Sequence, residues 1–307
     1  MNTKTFALDV EGLSKSYGGR QVVDRLDVRV PLGSVAGFIG PNGAGKTTTL
    51  RMLLGLVRAS SGGGSVLGQP FGHPAGYLPK VGALIESPAF YPALSGRRNL
   101  EALAVLGSHP AARVPSALER VGLAERGDDA YRAYSLGMKQ RLGIAAALLP
   151  APELLILDEP TNGLDPAGIR DMRTLLRGLA ADGLTVLVSS HLLAELEQVC
   201  NWLIVLDRGR GAYLGPAREF MSADREVRLR PEHEDDLPRL ARLIRAEGIP
   251  ATIDDRHLRL AVDHDATTIA PIVRLAAENG ITLVEIASAA ASLEERYSEL
   301  VGQGGTR

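Results

Sequence analysis

The chain lacks the features that mark secreted, membrane-spanning and nucleic-acid-binding proteins. Its single cysteine, Cys200, cannot form an internal disulfide, which fits a reducing compartment. No stretch reaches ~18 uninterrupted apolar residues, so no membrane-spanning helix is predicted. The first five residues lack the apolar core of a signal peptide, and none is expected. A net charge of −2 provides no basic field, so no nucleic-acid partner is expected.

The most informative motif present is a glycine-rich loop that matches the pattern G-x-x-x-x-G-K-[ST]. It follows the apolar run 35–39, which predicts a buried strand, and it precedes 48–54, which predicts a helix. In that setting backbone N–H groups and the helix dipole bind phosphates, the lysine adds a point charge, and the threonine hydroxyl can bind Mg²⁺. The alternative, a glycine turn without a ligand, is disfavoured by this context. The predicted nucleoside-triphosphate contacts are Gly40, Pro41, Asn42, Gly43, Ala44, Gly45, Lys46, Thr47 and Thr48.

A second motif places two carboxylates at the end of an apolar run. Residues 154–157 are Leu-Leu-Ile-Leu, and Asp158 and Glu159 follow them. This pattern predicts a parallel strand whose carboxyl end lies where open α/β sheets bind ligands. Asp158 is predicted to hold Mg²⁺ with Thr47, and Glu159 to orient and deprotonate water beside the γ-phosphate. A strand that ends in solvated acids is the alternative, but the phosphate loop independently requires an acid that binds the metal.

With both motifs present, residues 1–222 resemble the nucleotide-binding subunit of an ABC transporter. Residues 134–141 occupy the position of the family signature, 160–166 match the D-loop, and 189–191 match the switch histidine. The resemblance implies ATP and Mg²⁺ as ligands, with the signature helix and its serine approaching the γ-phosphate held by a second subunit. The nucleotide contacts carried over from the family are Tyr17, for adenine stacking, with Ser135, Gly137, Asp165 and the catalytic His191. A lone structural tyrosine and a lone structural histidine are the alternatives for Tyr17 and His191.

Two departures from the family pattern stand out. The usual Leu-Ser-Gly-Gly-Gln signature is Tyr-Ser-Leu-Gly-Met here, where Leu136 narrows backbone freedom and Met138 removes an amide. The segment 81–86 aligns with the one that normally ends in the Q-loop glutamine, and it ends in Glu86. A glutamate there resembles the subgroup that exports, or protects against, peptide antibiotics such as bacitracin and lantibiotics. The resemblance implies that Glu86 reaches Mg²⁺ and the attacking water; a solvated loop acid is the alternative.

The predicted fold class is α/β, with a P-loop ABC ATPase core in residues 1–222. Residues 59–64 have the composition of a connecting loop, and about 88–150 are predicted to form an inserted helical subdomain. Residues 223–307 predict a small C-terminal α+β domain of ferredoxin-like type, with the order strand, helix, strand, strand, helix, strand and the first of these helices at 237–246. Short helices are also predicted at 192–199 and around 293–300.

The resemblance favours the ATP-hydrolysing subunit of an exporter of an antibiotic or drug-like compound. It would act at the cytoplasmic face of the cell membrane, bound to a separate permease and paired with a second nucleotide-binding subunit in a homodimer. A soluble ABC-type ATPase acting on DNA or ribosomes is a second hypothesis, disfavoured by the single cassette and the absence of basic blocks. A non-catalytic regulator is a third, and the intact Lys46, Asp158, Glu159 and His191 argue against it.

Overall fold

A computed structural model describes residues 5–86, 89–191, 196–222, 225–262 and 266–290, together with 293, 296–297 and 300. The chain divides into two compact units, Met1–Ala217 and Arg218–Arg307. The predicted division after residue 222 stays a prediction. Of the helices predicted at 192–199 and around 293–300, residues 192–195, 294–295 and 298–299 lie outside the described residues.

A six-stranded sheet forms the centre of the first unit. Its strands lie in the order β10-β9-β3-β8-β7-β6, in which β10 is antiparallel to β9 and every other neighbouring pair is parallel. The bounds are β3 (Val35–Ile39), β6 (Val81–Leu84), β7 (Leu154–Asp158), β8 (Thr185–Ser190), β9 (Trp202–Asp207) and β10 (Arg210–Pro216). The parallel sheet confirms the predicted α/β class.

The interior strands of this sheet are buried because both faces are covered. All five residues of β3 and all six of β8 are buried, as expected for continuous apolar runs in a parallel sheet. Phe38, Leu187 and Leu206 belong to one apolar cluster that also includes helix residues such as Leu50. Cys200 is buried as well, and burial raises the pKa of its thiol well above its usual range, so it remains a neutral apolar side chain.

An antiparallel sheet of four strands completes the β-structure of the first unit, in the order β2-β1-β4-β5. The bounds are β1 (Phe6–Tyr17), β2 (Arg20–Pro31), β4 (Ser61–Val66) and β5 (Gln69–Pro70). The prediction of a loop at 59–64 is therefore wrong from Ser61 onward, where strand β4 begins. Glycine is required there, because a Cβ on Gly64, at φ +120°, would lie 2.1 Å from the carbonyl oxygen of Asp9 on the paired strand.

Six α-helices are described in full that lie in the first unit or begin at its last residue, Ala217. They are α1 (Lys46–Leu53), α2 (Gly96–Leu106), α3 (Arg113–Arg120), α4 (Leu136–Leu148), α5 (Pro166–Ala181) and α6 (Ala217–Ser222). Helices α2 to α4 account for the predicted helical character of 88–150. Ser95 and Ser135 accept hydrogen bonds from the backbone N–H groups three residues later, and they cap α2 and α4.

The second unit is built around a separate antiparallel sheet. It contains β11 (Arg225–Pro231), α7 (Leu237–Ala246), β12 (Ala251–Asp254), β13 (His257–Ala261), α8 (Ala266–Glu278) and β14 (Leu283–Ala290). The strand order is β12-β13-β11-β14, and each neighbouring pair is antiparallel. Its own apolar cluster includes Leu229, Leu240, Ile244 and Leu260, because alternate strand residues and one stripe of each helix face the same interior.

Candidate functional site

Three neighbouring parallel strands bring the predicted motifs to one edge of the sheet. Strand β8 lies between β3 and β7, with Ser189 opposite Asp158 on β7 and Ser190 opposite Ile39 on β3. The phosphate loop follows β3, the two carboxylates end β7, and His191 follows β8. Because parallel strands point the same way, their carboxyl ends form one side of a shared crevice. The structure therefore brings together Lys46, Asp158, Glu159 and His191.

The phosphate loop has the backbone that an anion needs. Gly45 precedes α1 at φ 100°, and a Cβ there would lie 2.9 Å from the carbonyl oxygen of Val22. Among the described residues, no side chain caps the amino end of α1, which leaves its first N–H groups available to bind phosphate. Lys46 Nζ donates a hydrogen bond to the carbonyl oxygen of Gly40 at 2.6 Å, so the lysine stays inside the loop. These features fit a nucleotide phosphate.

Thr47 and Asp158, the predicted metal-binding residues, are joined by a hydrogen bond. Thr47 Oγ1 donates to Asp158 Oδ2 at 2.7 Å, and Ser189 Oγ donates to the other carboxylate oxygen at 2.5 Å. Within the described residues, no group of three or more His, Cys, Asp or Glu side chains could hold a metal. Mg²⁺ suits such a sparse site, because it binds one or two protein oxygens and completes its shell with substrate phosphates and water. The residues present fit Mg²⁺.

Glu159 contacts both Lys46 and His191 through its two carboxylate oxygens. Its Oε1 lies 3.2 Å from Lys46 Nζ, and its Oε2 lies 2.7 Å from His191 Nδ1. Only 6% of the Lys46 side chain and 21% of the Glu159 side chain are exposed, so this ion pair is weakly screened. An ionised carboxylate can only accept, which makes His191 Nδ1 the donor.

The backbone of Glu159 is held in an unusual conformation. Its φ is 49°, in the left-handed region that non-glycine residues rarely adopt. The Glu159 N–H donates to Ser189 Oγ at 3.0 Å and lies 3.2 Å from the Ser189 carbonyl oxygen. Neighbouring strand β8 thus fixes the turn that aims the carboxylate. Such strain is typical of functional sites, where the surrounding structure maintains it.

A cavity of about 390 Å³ lies between the phosphate loop and Glu159. Its volume falls in the range of small-ligand sites, ~300–1,000 Å³. A larger cavity, of about 570 Å³ among α3, α4 and α5, contains none of the predicted site residues. The smaller cavity is therefore the candidate site. Its lining residues are Val22, Pro41, Asn42, Gly43, Gly45, Lys46, Thr47, Thr48, Glu159, Asn162 and His191.

Several predicted contacts do not line this cavity in the single chain. Tyr17 is 48% exposed, and the Lys15 ammonium lies 4.8 Å from its ring centroid. Ser135 caps α4 by accepting from the Met138 N–H at 3.2 Å, and Gly137 lies in the first turn of that helix. Glu86 is bound to Arg51, outside the residues that line the cavity. Their nucleotide contacts stay predictions.

The D-loop residue Asp165 has a local partner too. It caps α5 by accepting a hydrogen bond from the Gly168 N–H at 2.8 Å. The departure at Leu136 leaves the cap on α4 intact, and this side chain lies against the D-loop, 3.1 Å from where a Cβ on Gly163 would be. The signature and D-loop of one chain are therefore in contact.

Sequence reasoning missed three residues of the site. Ser189 binds both Asp158 and the backbone of Glu159, and its position in the Ser-Ser-His triplet beside the Asp158 strand was a usable signal. Asn162 and Val22 line the cavity. Asn162 lies in the segment already matched to the D-loop, whereas no pattern around Val22 indicated its place.

Comparisons with known proteins identify the family of the chain. A family model described as "ABC transporter" matches residues 23–162. The chain is 38% identical over 295 residues to the bacitracin transport ATP-binding protein BcrA of Bacillus licheniformis, covering 95% of this chain and 96% of that protein. It is 38% identical over 203 residues to the lantibiotic transport ATP-binding protein SrtF of Streptococcus pyogenes, covering 66% and 88%. The daunorubicin resistance ATP-binding protein DrrA3 of Streptomyces coeruleorubidus is 37% identical over 305 residues, covering 96% of each.

A solved structure shares the fold. It is cbiO1 from Clostridium perfringens, described as part of the ABC transporter complex cbiONQ, with a TM-score of 0.65 and 25% identity, covering 80% of this chain and 98% of that one. The resemblance inferred from the motifs is thus confirmed both over nearly the whole sequence and in three dimensions. The chain belongs to the ABC transporter family and carries that family's ATP-binding domain.

Proposed function

We propose that this chain hydrolyses ATP to power an exporter of an antibiotic or drug-like compound through a separate permease. The observation that carries the proposal is the placement of Glu159, at the mouth of the phosphate-loop cavity between Lys46 and His191. Support for the substrate class comes from relatives named for bacitracin, lantibiotic and daunorubicin.

The chemistry follows from what the side chains can do. Lys46 and the N–H groups of the loop bind the β- and γ-phosphates, and they stabilise negative charge that develops during transfer. Glu159 accepts the proton of the attacking water, while the hydrogen bond from His191 fixes the orientation of its carboxylate. Thr47 and Asp158 would hold Mg²⁺, which would supply positive charge that neutralises the phosphates.

A second subunit is part of the proposal. Ser135 and Gly137 lie at the amino end of α4, whose dipole favours an anion, yet they do not line the cavity of their own chain. A homodimer would supply each cavity with the signature helix of the partner. Within the described ranges, no helix is long and apolar enough to cross a membrane. The chain would act at the cytoplasmic face of the membrane through its permease, a proposal supported by relatives named as transport ATP-binding proteins.

Residues 223–307 are proposed to be an accessory domain for dimer contact or regulation. All of the predicted nucleotide contacts precede it, and its described residues form a sheet and a core of their own. The alternative, an ABC-type ATPase not coupled to transport, shares the same cavity, so the presence of a permease separates the two functions.

The first experiment compares Glu159→Gln with Glu153→Gln. Both residues flank β7, but Glu153 lies at the opposite end and pairs with Lys80 at 2.6 Å on the surface. We expect Glu159→Gln to keep ATP binding and to lose ~10²–10⁴-fold in turnover, because an amide cannot accept the proton. Glu153→Gln should behave like the wild type. Equal ATPase rates for all three proteins would remove Glu159 from the role of base.

The second experiment tests coupling to transport. The chain is co-expressed with a candidate multi-span permease, and ATPase activity and antibiotic resistance are measured with and without that permease. We expect co-purification, and resistance that disappears with Glu159→Gln. ATP hydrolysis that is unaffected by every membrane partner tested, without any resistance, would favour the uncoupled ATPase.

A further inference from the structure

Glu86 has a partner that the family motif does not include. It follows β6, in the left-handed region at φ 67°, and its Oε1 accepts a hydrogen bond from Arg51 Nη2 on α1. The side chains of Glu86 and Arg51 are 65% and 40% exposed. The ion pair is therefore open to solvent, and another cation can compete for the carboxylate.

The position of Arg51 connects this ion pair to the metal site. Arg51 follows Thr47 by four residues on α1, so the two side chains lie on the same face of the helix, ~5–6 Å apart at their Cβ atoms. Thr47 is bound to Asp158. The ion pair therefore ties the Glu86 carboxylate to the helix that carries Thr47, at a residue one helical turn away from it.

The charges explain why such a partner matters. A glutamate carries a full negative charge, and its repulsion of a triphosphate within the Debye length of ~8 Å is not fully screened. Without a counter-ion, that carboxylate repels ATP until a cation arrives. The Arg51 guanidinium neutralises it in advance, but by doing so it competes with Mg²⁺ for the same oxygens.

We infer that Arg51 is a positioning residue that holds Glu86 off the metal until Mg²⁺ displaces it. The inference rests on the proposed function of the site. It assigns Arg51 two opposite effects, because the guanidinium helps metal-free ATP to bind and hinders the carboxylate from reaching Mg²⁺. If Arg51 only supported the fold, its replacement would weaken both ATP binding without metal and the response to Mg²⁺.

The test measures binding of a fluorescent ATP analogue to the full-length protein, first in EDTA and then in a Mg²⁺ titration. The proteins compared are the wild type, Arg51→Met, Glu86→Gln and the double variant. Lys80→Met serves as the matched control, since it removes a similar exposed ion pair, to Glu153, away from the cavity. Thermal unfolding checks that each protein is folded.

For Arg51→Met we expect the Kd in EDTA to rise and the half-saturating Mg²⁺ concentration to fall, each by about 1.5- to 5-fold, the range for partly exposed ion pairs. Glu86→Gln should bind the analogue more tightly in EDTA and require more Mg²⁺. Adding Arg51→Met to Glu86→Gln should then change little, and Lys80→Met should match the wild type.

Three results would overturn the inference. Arg51→Met could leave both constants unchanged, shift both toward weaker binding, or have the same effect in the Glu86→Gln background as in the wild type. In each of these cases Arg51 does not act through Glu86, while the proposed ATPase function stands. A wild-type protein that binds no nucleotide at all would instead overturn the proposed function, and this inference with it.

Discussion

The two units of the chain use similar apolar cores but differ in the direction of their strands. In the first unit β3, β8 and β7 are parallel, so the residues that follow them meet at one edge. In the second unit every neighbouring pair is antiparallel, so strands that lie side by side end at opposite edges of the sheet. Strand direction therefore accounts for the concentration of reactive side chains in one unit.

The charged side chains of the second unit pair with one another across its antiparallel sheet. Arg230 and Glu285 are cross-strand partners at 2.9 Å, and Arg259 is bound to Asp254 on the adjacent strand. These charges satisfy one another across the sheet, whereas Lys46 and Glu159 meet beside a cavity. Similar residue types thus stabilise a surface in one unit and form a site in the other.

Among the changes that compare the two units, the largest effect should come from Lys46→Ala. This change removes the buried cation that contacts the loop and Glu159, and losing one donor of this kind typically costs ~10²–10³-fold in kcat. ATP binding should weaken as well. Steady-state hydrolysis and equilibrium nucleotide binding measure the two losses. Normal activity would contradict this comparison, because it would show that a side chain placed at the shared edge of the parallel strands does not contribute to catalysis.

Core substitutions in the two units should differ in their effect on nucleotide binding. Leu260 is fully buried in the second unit and Leu187 in the first, and replacing either with alanine is expected to cost about 2–5 kcal/mol of stability. Leu260→Ala should leave the nucleotide Kd unchanged, whereas Leu187→Ala should weaken binding. Denaturant unfolding, followed together with nucleotide binding, checks both. Equal loss of binding in both variants would show that the units do not fold independently.

A smaller effect should follow from Glu285→Gln. The hydrogen bond from Arg230, aided by His257, holds the pKa of Glu285 below its ordinary 4.5. A lowered pKa in the folded state adds stability above the unfolded pKa, and this stability is lost as the pH falls through the folded value. The Tm of the wild type should therefore exceed that of Glu285→Gln at pH 6, with the gap closing as the pH falls below 4.5 and through the lowered pKa of the folded state. A gap that is independent of pH would contradict this.

The smallest effect should come from ending the chain at residue 222. Every residue that lines the phosphate cavity precedes that point, so the nucleotide Kd should stay within error of the full-length value. Equilibrium binding to both proteins is the measurement, with circular dichroism as the control for folding. A shortened protein that folds but no longer binds ATP would show that the second unit contributes to the site.

Sequence patterns predicted the elements whose signal is local. The segment 237–246 was predicted as a helix with the bounds the structure has, because its apolar residues recur at helical spacing. The phosphate loop and the acids after β7 were predicted from motif and context together. Strand β4 was missed, because its glycines resemble a loop in composition and become a strand only by pairing with β1.

Within the site, some contacts could not be predicted for a physical reason. Glu86 was matched to its motif, but its ion pair with Arg51 joins residues 35 apart. Ser189 was matched only as a neighbour of the switch histidine, yet it binds Asp158 because β8 lies beside β7. Such partners depend on strand order, which composition and periodicity do not specify.

The sequence by itself determined the phosphate loop, the paired acids and the family, because these depend on residue types at short, fixed spacings. Only the tertiary structure decided that Glu159 forms an ion pair with Lys46 and a hydrogen bond with His191, and that Arg51 reaches Glu86. The reason is that these contacts cross between elements far apart in the chain. Their distances are set by which strands lie side by side in the folded sheet.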